Sequence, residues 1–470
     1  MKPDRKMTPN QWRICGLLML ALLSGCSLPR ASCSHAPIGE EMMARTSHTV
    51  MCVGPAEFVV PPDVVFEDGV SEDEAVATAL SNNAAFQSML AQLGMAEGDL
   101  IQAGLLTNPN LGTFLPISAK QWEWTLFVPL EAFVLRPHRL AIADSDYERV
   151  ANGLVQNGLT LVRDVRVAHA DLAVAIAQYQ LAQEIINIRQ GISDLTQKRL
   201  DHGDISELEA MTARVDVLNA EANAGLLEQN VVVARSRLAW LMGMPPTEAP
   251  LFAVLAPPPP LPELDVALLI DEAFALRPDA RAADWAVAAA DERLRVARLA
   301  FLRIDGVVDA NQRGLKGYEV GPGIRFDIPI FNRNQGGVMR AEAELLQAQY
   351  NRDAIWNQIV QDVRTATAQW TQAKNNLMIF ETKVAPALNE ARQIADKGFA
   401  DGGSDYLLVL QTTSQYVDSR VRILDQVAAL QRARAELERS VGRQLIAGPT
   451  PHASQERLPP GVRVDGIEHE

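Results

Sequence analysis

Cysteine is almost missing from this sequence. Four occur in 470 residues, and Cys15, Cys26, Cys33 and Cys52 all lie near the amino terminus. No Cys-x-x-Cys pair is present, so spacing excludes thiolate metal sites of the zinc-ribbon kind. Histidine is scarce as well: His35, His48, His138, His169, His202, His452 and His469 make up the whole set, and none stands in a His-Glu-x-x-His pair. The Gly-x-Ser-x-Gly elbow and the Gly-x-x-x-x-Gly-Lys phosphate loop are both absent. His169 beside Asp171 comes nearest to a catalytic pair, and on a long helix it reads as a surface or interhelical polar residue. The sequence therefore offers no catalytic residue, no metal site and no cofactor motif, which argues against an enzyme.

Positive charge is in deficit. Lys and Arg number 43 against 58 Asp and Glu, for a net charge of −15. Loss of a cleaved leader, with four basic residues and one acidic, takes this to about −18. Such a surface repels phosphate backbones and excludes nucleic acid as a natural partner.

Long apolar runs are lacking too. Ile14 to Leu23, behind the basic Lys2, Arg5, Lys6 and Arg13, spans ten residues, half of what a membrane-crossing helix needs. It reads as the core of a signal peptide. The run ends in Leu23-Ser24-Gly25-Cys26, the pattern of a bacterial lipobox, in which the Cys26 sulfur takes a diacylglycerol and becomes the first mature residue. Ser27, where Asp would hold a lipoprotein at the inner membrane, favours the outer membrane. In an oxidising periplasm Cys33 and Cys52 either pair or stay free. No later run reaches 18 apolar residues, so no transmembrane helix is expected in the mature chain.

What is present in quantity is self-similarity. Leu161-Val162-Arg163-Asp164-Val165-Arg166 returns as Ile359-Val360-Gln361-Asp362-Val363-Arg364, an offset of 198. Gly203 and Leu208 answer Gly402 and Leu407, and Leu238 and Gly243 answer Leu437 and Gly442, all at 199. Upstream, Val128-Pro129-Leu130 corresponds to Ile328-Pro329-Ile330. Ordered matches at a nearly constant offset mark a duplication. The expected organisation is a leader over 1–25 and an extended lipidated arm over 26–70. A first repeat over 71–244, a Pro-rich connector over 245–265 with Pro257 to Pro260 at its centre, a second repeat over 266–445 and a polar tail over 446–470 follow.

Each repeat reads as helix, two short strands, long helix, tight turn, helix. Ile359, Val363, Ala366, Trp370, Ala373, Leu377, Phe380 and Val384 follow alternating steps of four and three. The first repeat carries the same seam at Leu161, Val165, Ala168, Leu172, Ala175, Tyr179, Ala182 and Ile186. That alternation is the coiled-coil seam. Arg139–Leu200 and Arg340–Phe399 would each be rods of about 90 Å, too long for a compact domain. His202-Gly203-Asp204 and Asp401-Gly402-Gly403 are the reversing turns, since glycine supplies the left-handed conformation at a helix end. They hand the chain to Ile205–Met242 and Ser404–Val441. Leu111–Ile117 with Trp122–Leu130, and Arg303–Arg313 with Tyr318–Ile328, read as hairpins. The first is short against the 9–11 residues of a membrane strand. Four strands cannot close a barrel, and open edges cannot face lipid, so strands in a membrane would have to be pooled among several chains.

Three segments carry a family resemblance covering roughly residues 70 to 445. Arg277-Pro278-Asp279-Ala280-Arg281-Ala282-Ala283-Asp284 is similar to the start of the second repeat in the TolC-like outer-membrane efflux family. Leu106-Thr107-Asn108-Pro109-Asn110-Leu111 resembles that family's approach to the first hairpin. Ile328-Pro329-Ile330-Phe331-Asn332-Arg333-Asn334-Gln335-Gly336 resembles its strand-to-helix joint, in the wording of the heavy-metal, CzcC-like branch. The resemblance implies a mainly α chain with a small β part. Duplicated coiled-coil hairpins would form a periplasmic tunnel, and four strands per chain would contribute to a 12-stranded barrel in a homotrimer. It implies a passive conduit that docks a periplasmic adaptor and an inner-membrane pump of the resistance-nodulation-division type. The tip turns would then be Gly203, Asp204, Gly402, Gly403 and Asp405. Leu408 and Gln411 stand where the family often has acidic gate residues, leaving Glu207, Glu209 and Asp401 as neighbouring gate candidates or as solvated helix ends. The competing expectation is a non-conducting periplasmic scaffold lipoprotein, which would have no use for membrane strands.

Overall fold

The computed structural model describes residues 36–62, 64–66, 69–115, 122–245, 251–253, 261, 264–312, 318–401 and 406–445. The chain divides into Met1–Ser34, outside the described residues, and His35–Glu470, to which everything below belongs.

A first helix, α1 (Ala36–Thr46), precedes the first repeat: α2 (Glu72–Asn82), α3 (Ala84–Gly104), β1 (Asn110–Phe114), β2 (Glu123–Pro129), α4 (Glu131–His202) and α5 (Glu207–Leu241). The second repeat follows the same order: α6 (Val266–Leu276), α7 (Pro278–Leu299), β3 (Ile304–Gln312), β4 (Tyr318–Phe326), α8 (Gln335–Ile379), a π turn (Phe380–Val384), α9 (Ala385–Ala400) and α10 (Tyr406–Val441). Local chemistry sets many of these boundaries. Ser71 caps α2 in a capping box with Glu74, Asn83 caps α3, Ser206 caps α5 and Asp265 caps α6, each side chain accepting an otherwise unpaired amide. Gly203, with φ +82°, closes α4, while Gly243 and Gly442, at +66° and +89°, stand in matching places after α5 and α10.

The expected long helices are present, with three differences. Helix α4 begins at Glu131 rather than Arg139 and runs through Pro137. Proline there forfeits one backbone bond in a helix of 72 residues. The helix start is held from outside, because the Leu130 amide donates to the Ile304 carbonyl and the Ile304 amide to Glu131.

The second rod is interrupted before Pro386. The Ala385 amide donates five residues back to Phe380, forming the π turn. A widened turn relieves the clash a proline ring makes with the carbonyl four residues earlier. The extra residue also rotates the seam. Ile359, Val363, Ala366, Trp370, Ala373 and Leu377 are buried, whereas Phe380 and Val384 are only partly so.

The amino-terminal arm is the third difference. It was expected to be extended, but residues 36–46 are helical, with Ile38 and Met42 fully buried in the core of the first repeat. The Met42 thioether fills the space beside Gly158 of α4, where even a Cβ would overlap it. Arg45 then reaches the second repeat, donating to the carbonyls of Leu276 (2.6 Å) and Gly442 (3.0 Å). Cys52 is disulfide-bonded, and Cys33 lies outside the described residues.

Candidate functional site

The four strands form one antiparallel sheet in the order β1-β2-β3-β4. Its register sorts every side chain to one of two faces, because directly opposed residues share a face and neighbours along a strand alternate. One face holds Leu111, Thr113, Trp124, Leu126, Val128, Ile304, Gly306, Val308, Ala310, Val320, Pro322, Ile324 and Phe326. Only Thr113 among them has a polar side chain. The opposite face holds Glu123, Thr125, Asp305, Asp309, Asn311, Glu319 and Arg325, together with Asn110, three glycines and the apolar Phe114, Phe127, Pro129 and Val307.

The polar face is internally bonded. Thr125 donates to Asp309 (3.0 Å), Asn311 donates to Asp309 (2.7 Å), and Arg325 pairs with Asp305 (2.5 Å). Phe127 would be out of place there but for Arg325, whose guanidinium lies 4.4 Å from the ring centroid. On the apolar face no helix or loop among the described residues covers the outer strand. Val320, Ile324 and Phe326 are 63, 69 and 63% exposed. Trp122 and Trp124 stack at its far end, with centroids 6.2 Å apart. A sheet apolar on one side, with its charged side chains all on the other, is the pattern of a barrel wall between lipid and a wet lumen. No helix among the described residues is long and apolar enough to cross a membrane.

Two seams run along α5. Ala210, Ala213, Val217, Ala220, Ala224, Val231 and Leu238 are buried. Leu208, Met211, Val215 and Leu218 repeat at steps of three and four and are exposed, and after a step of eight Leu226, Val233 and Trp240, also exposed, continue at steps of seven. Small alanines on the inner seam let the helices approach closely, and the outer seam is a second coiled-coil face.

At the α4–α5 turn, Gly203 adopts the left-handed conformation and Asp204 donates its amide to the Arg199 carbonyl (2.9 Å). Glu207 and Glu209 occupy the first turn of α5, beside the positive end of the helix dipole. Asp401 caps α9, and Leu408 and Gln411 are exposed on α10. Gly402, Gly403 and Asp405, like Cys26, lie outside the described residues. The structure thus brings Glu207 and Glu209 together with Gly203.

Sequence motifs drew attention to Arg277 only as part of a resemblance. In the structure it is a buried hub, 2% exposed. It pairs with Asp279 (2.6 Å) and Asp362 (3.0 Å) and donates to the Ser440 carbonyl (3.3 Å). Burial pulls the guanidinium toward neutrality, but the two carboxylates outweigh it and hold its pKa above the ordinary value. Asp362 is pushed up by burial, and hydrogen bonds from Gln358 and Arg277 more than reverse this, leaving it below the usual carboxylate range. Arg166, also buried, joins α4 to Glu438 of α10 and to Glu72 of α2. His169 is buried, and its Nε2 donates to the Val70 carbonyl at 2.8 Å. That bond makes it a structural residue. Partners so distant in sequence leave no local signal.

Two stretches of the chain, residues 75–244 and 269–443, match the family described as "Outer membrane efflux protein". The cobalt-zinc-cadmium resistance protein CzcC of Cupriavidus metallidurans is 24% identical over 390 residues, covering 79% of this chain and 90% of that protein. Among solved structures, CusC superposes with a TM-score of 0.69 at 19% identity, over 83% of this chain and 97% of that one. The outer-membrane channel OprN gives 0.69 at 18%, over 83% and 98%. The outer membrane protein VceC of Vibrio cholerae gives 0.69 at 17%, over 80% and 96%. At these identities the structural likeness speaks to the fold, a mainly helical chain with a small antiparallel sheet.

Proposed function

The chain belongs to the outer membrane efflux protein family, and from that premise we propose that it is the outer-membrane channel of a tripartite efflux system. The observation that carries this is the two-faced sheet with its uncovered apolar side. In the order β1-β2-β3-β4, both β1 and β4 have an edge with no neighbour among the described strands. Edges of this kind cannot rest in lipid. Three copies would supply 12 strands, enough to close a barrel with the polar face inward. The exposed seam of α5 supports the same homotrimer, since it gives each helix a face for a neighbouring copy. A non-conducting scaffold would need neither feature.

In this reading cargo passes without chemistry, and the chain is a conduit rather than an enzyme. The energy comes from an inner-membrane pump of the resistance-nodulation-division type, coupled through a periplasmic adaptor. The adaptor meets the tip turns at Gly203, Asp204, Gly402, Gly403 and Asp405. Glu207, Glu209, Asp401, Leu408 and Gln411 surround the entrance. Cys26 carries the lipid that helps hold the chain at the outer membrane. CzcC is named for resistance to cobalt, zinc and cadmium, so divalent cations are the first cargo class to test.

Planar bilayers test the conduit directly. Purified full-length protein should insert and give discrete conductance steps, and insertion without conductance would return the scaffold. Mass spectrometry of the mature terminus should find a diacylglyceryl group on Cys26, against an unmodified terminus if the lipobox is accidental.

A further inference from the structure

The apolar face of the sheet does not stop where the strands stop. Leu130 follows Val128 by two residues and lies over Gly306, Ile328 extends the alternation that ends β4 at Phe326, and Ile330 follows in a tight turn, its amide donating to the Ile328 carbonyl (2.9 Å). All three are exposed, and Phe331 next to them is 92% exposed. Phe133 and Val134, in the first turn of α4, add two more uncovered apolar side chains at the same end of the sheet.

Arginines accompany them. Arg136, Arg303 and Arg333 are exposed, and none is paired with a carboxylate among the described residues. The Nε of Arg136 donates to the Gly104 carbonyl (2.7 Å) and that of Arg333 to the Pro329 carbonyl (3.2 Å). The outer donors of both forks are left for another acceptor. The nearby carboxylates are directed elsewhere: Glu131 accepts the Ile304 amide (3.2 Å), and Asp327 falls by alternation on the polar side.

Strand length gives this edge a purpose. At about 3.3 Å per residue and a tilt near 40°, β3 and β4 cover roughly 23 Å of height and β2 roughly 18 Å, against an apolar band of about 25 Å. Over the described residues the strands alone undershoot, most of all in the first hairpin. One helical turn adds about 5 Å.

We propose that Phe133, Val134, Ile328, Ile330 and Phe331 form a collar seated in the phospholipid leaflet at the helix-bearing end of the sheet. Arg136, Arg303 and Arg333 meet its headgroup phosphates. The collar completes, with residues outside the strands, the apolar height that a short first hairpin lacks. Its occupant is lipid, because the collar is continuous with the sheet's apolar face and because guanidinium groups beside an apolar band match anionic headgroups. The inference rests on the outer-membrane barrel proposed above.

Spin labels separate the two ideas. Phe133→Cys, Phe331→Cys and Ile324→Cys are each labelled in the full-length protein, reconstituted in phosphatidylethanolamine–phosphatidylglycerol vesicles, with Lys198→Cys, at an exposed position of α4, as the aqueous reference. Relaxation by oxygen reports lipid, and relaxation by a nickel chelate reports water. Labels at 133 and 331 should be relaxed by oxygen several-fold more than the reference and lie shallower than the label at 324. Combining Arg136→Gln, Arg303→Gln and Arg333→Gln should raise nickel access at 331 at least twofold, and unchanged access would contradict the headgroup contact. If 133 and 331 match the aqueous reference while 324 stays in lipid, the collar is wrong and the barrel stands. Labels at 133 and 331 shielded from both agents would assign the surface to a protein neighbour and overturn the collar. Nickel access at 324 itself would overturn the barrel, and the collar with it.

Discussion

Arg277 and Asp362 lie 3.0 Å apart across 85 residues of sequence, the guanidinium 2% and the carboxylate 14% exposed. Their contact ties the α6–α7 corner to α8, and Arg439 of α10 holds the same carboxylate at 3.3 Å. The first repeat solves the corresponding junction with an amide: Asn83 at the α2–α3 corner donates to the Leu241 carbonyl (2.9 Å), much as Arg277 does to Ser440. Arg277→Ala strips partners from Asp362, Asp279 and a buried carbonyl together. We expect a loss of roughly 2–3 kcal/mol, below the full cost of breaking a buried pair because Arg439 remains. Arg277→Lys should recover little, since an ammonium cannot span two carboxylates in the guanidinium's planar geometry. Thermal unfolding of the detergent-solubilised chain measures both, and a melting temperature unchanged in the alanine variant would remove Arg277 from its role.

Two aspartates should respond to acid in opposite directions. The folded pKa of Asp362 is depressed, so its stabilisation is complete above the unfolded value near 4 and is lost as pH falls through the lower folded value. Asp284 is raised, by burial first and only partly offset by Arg352. Its ionisation in the folded chain therefore costs stability, which is regained as pH falls through its raised folded pKa toward the unfolded one. Asp362→Asn should lower the melting temperature at pH 7 and matter less near pH 3. Asp284→Asn should raise it at pH 7, with the gain fading by pH 3. The same sign for both variants at pH 7 would contradict these environments.

Glycine substitutions should be unequal for a geometric reason. Gly203 and Gly243 both have positive φ, but nothing lies within 4 Å of a Cβ built on Gly203, while one on Gly243 would overlap the Asn82 carbonyl. Gly203→Ala should cost about 1 kcal/mol, from the left-handed backbone alone. For Gly243→Ala the overlap adds to that, and roughly 3 kcal/mol is expected. Chemical denaturation of the two variants side by side would expose an error in either environment if their losses were equal.

Regular features were legible in the sequence because they repeat. The seam from Ile359 to Leu377 shows its 3.5-residue period in any window, and in the structure all six of those positions are buried. The strand pair around Glu319–Arg325 declares its faces by alternation alone. What stayed hidden depends on meetings between distant segments. Nothing local says that Met42 will fill the notch at Gly158, that Arg277 will find Asp362, or that Phe127 belongs on a polar face because Arg325 covers it. Proline misled in both directions: Pro137 sits inside α4 because outside contacts hold the helix start, while Pro386 recruits a π turn that shifts the seam at Phe380.

The central claim is that one chain supplies a third of a barrel, and the mass of the assembled particle tests it most directly. Native mass spectrometry of the full-length protein, extracted from outer membranes in mild detergent, should give three copies of the acylated chain. A monomer that retains its strand signal by infrared spectroscopy would mean that the four strands need no partner copies, which would contradict the account.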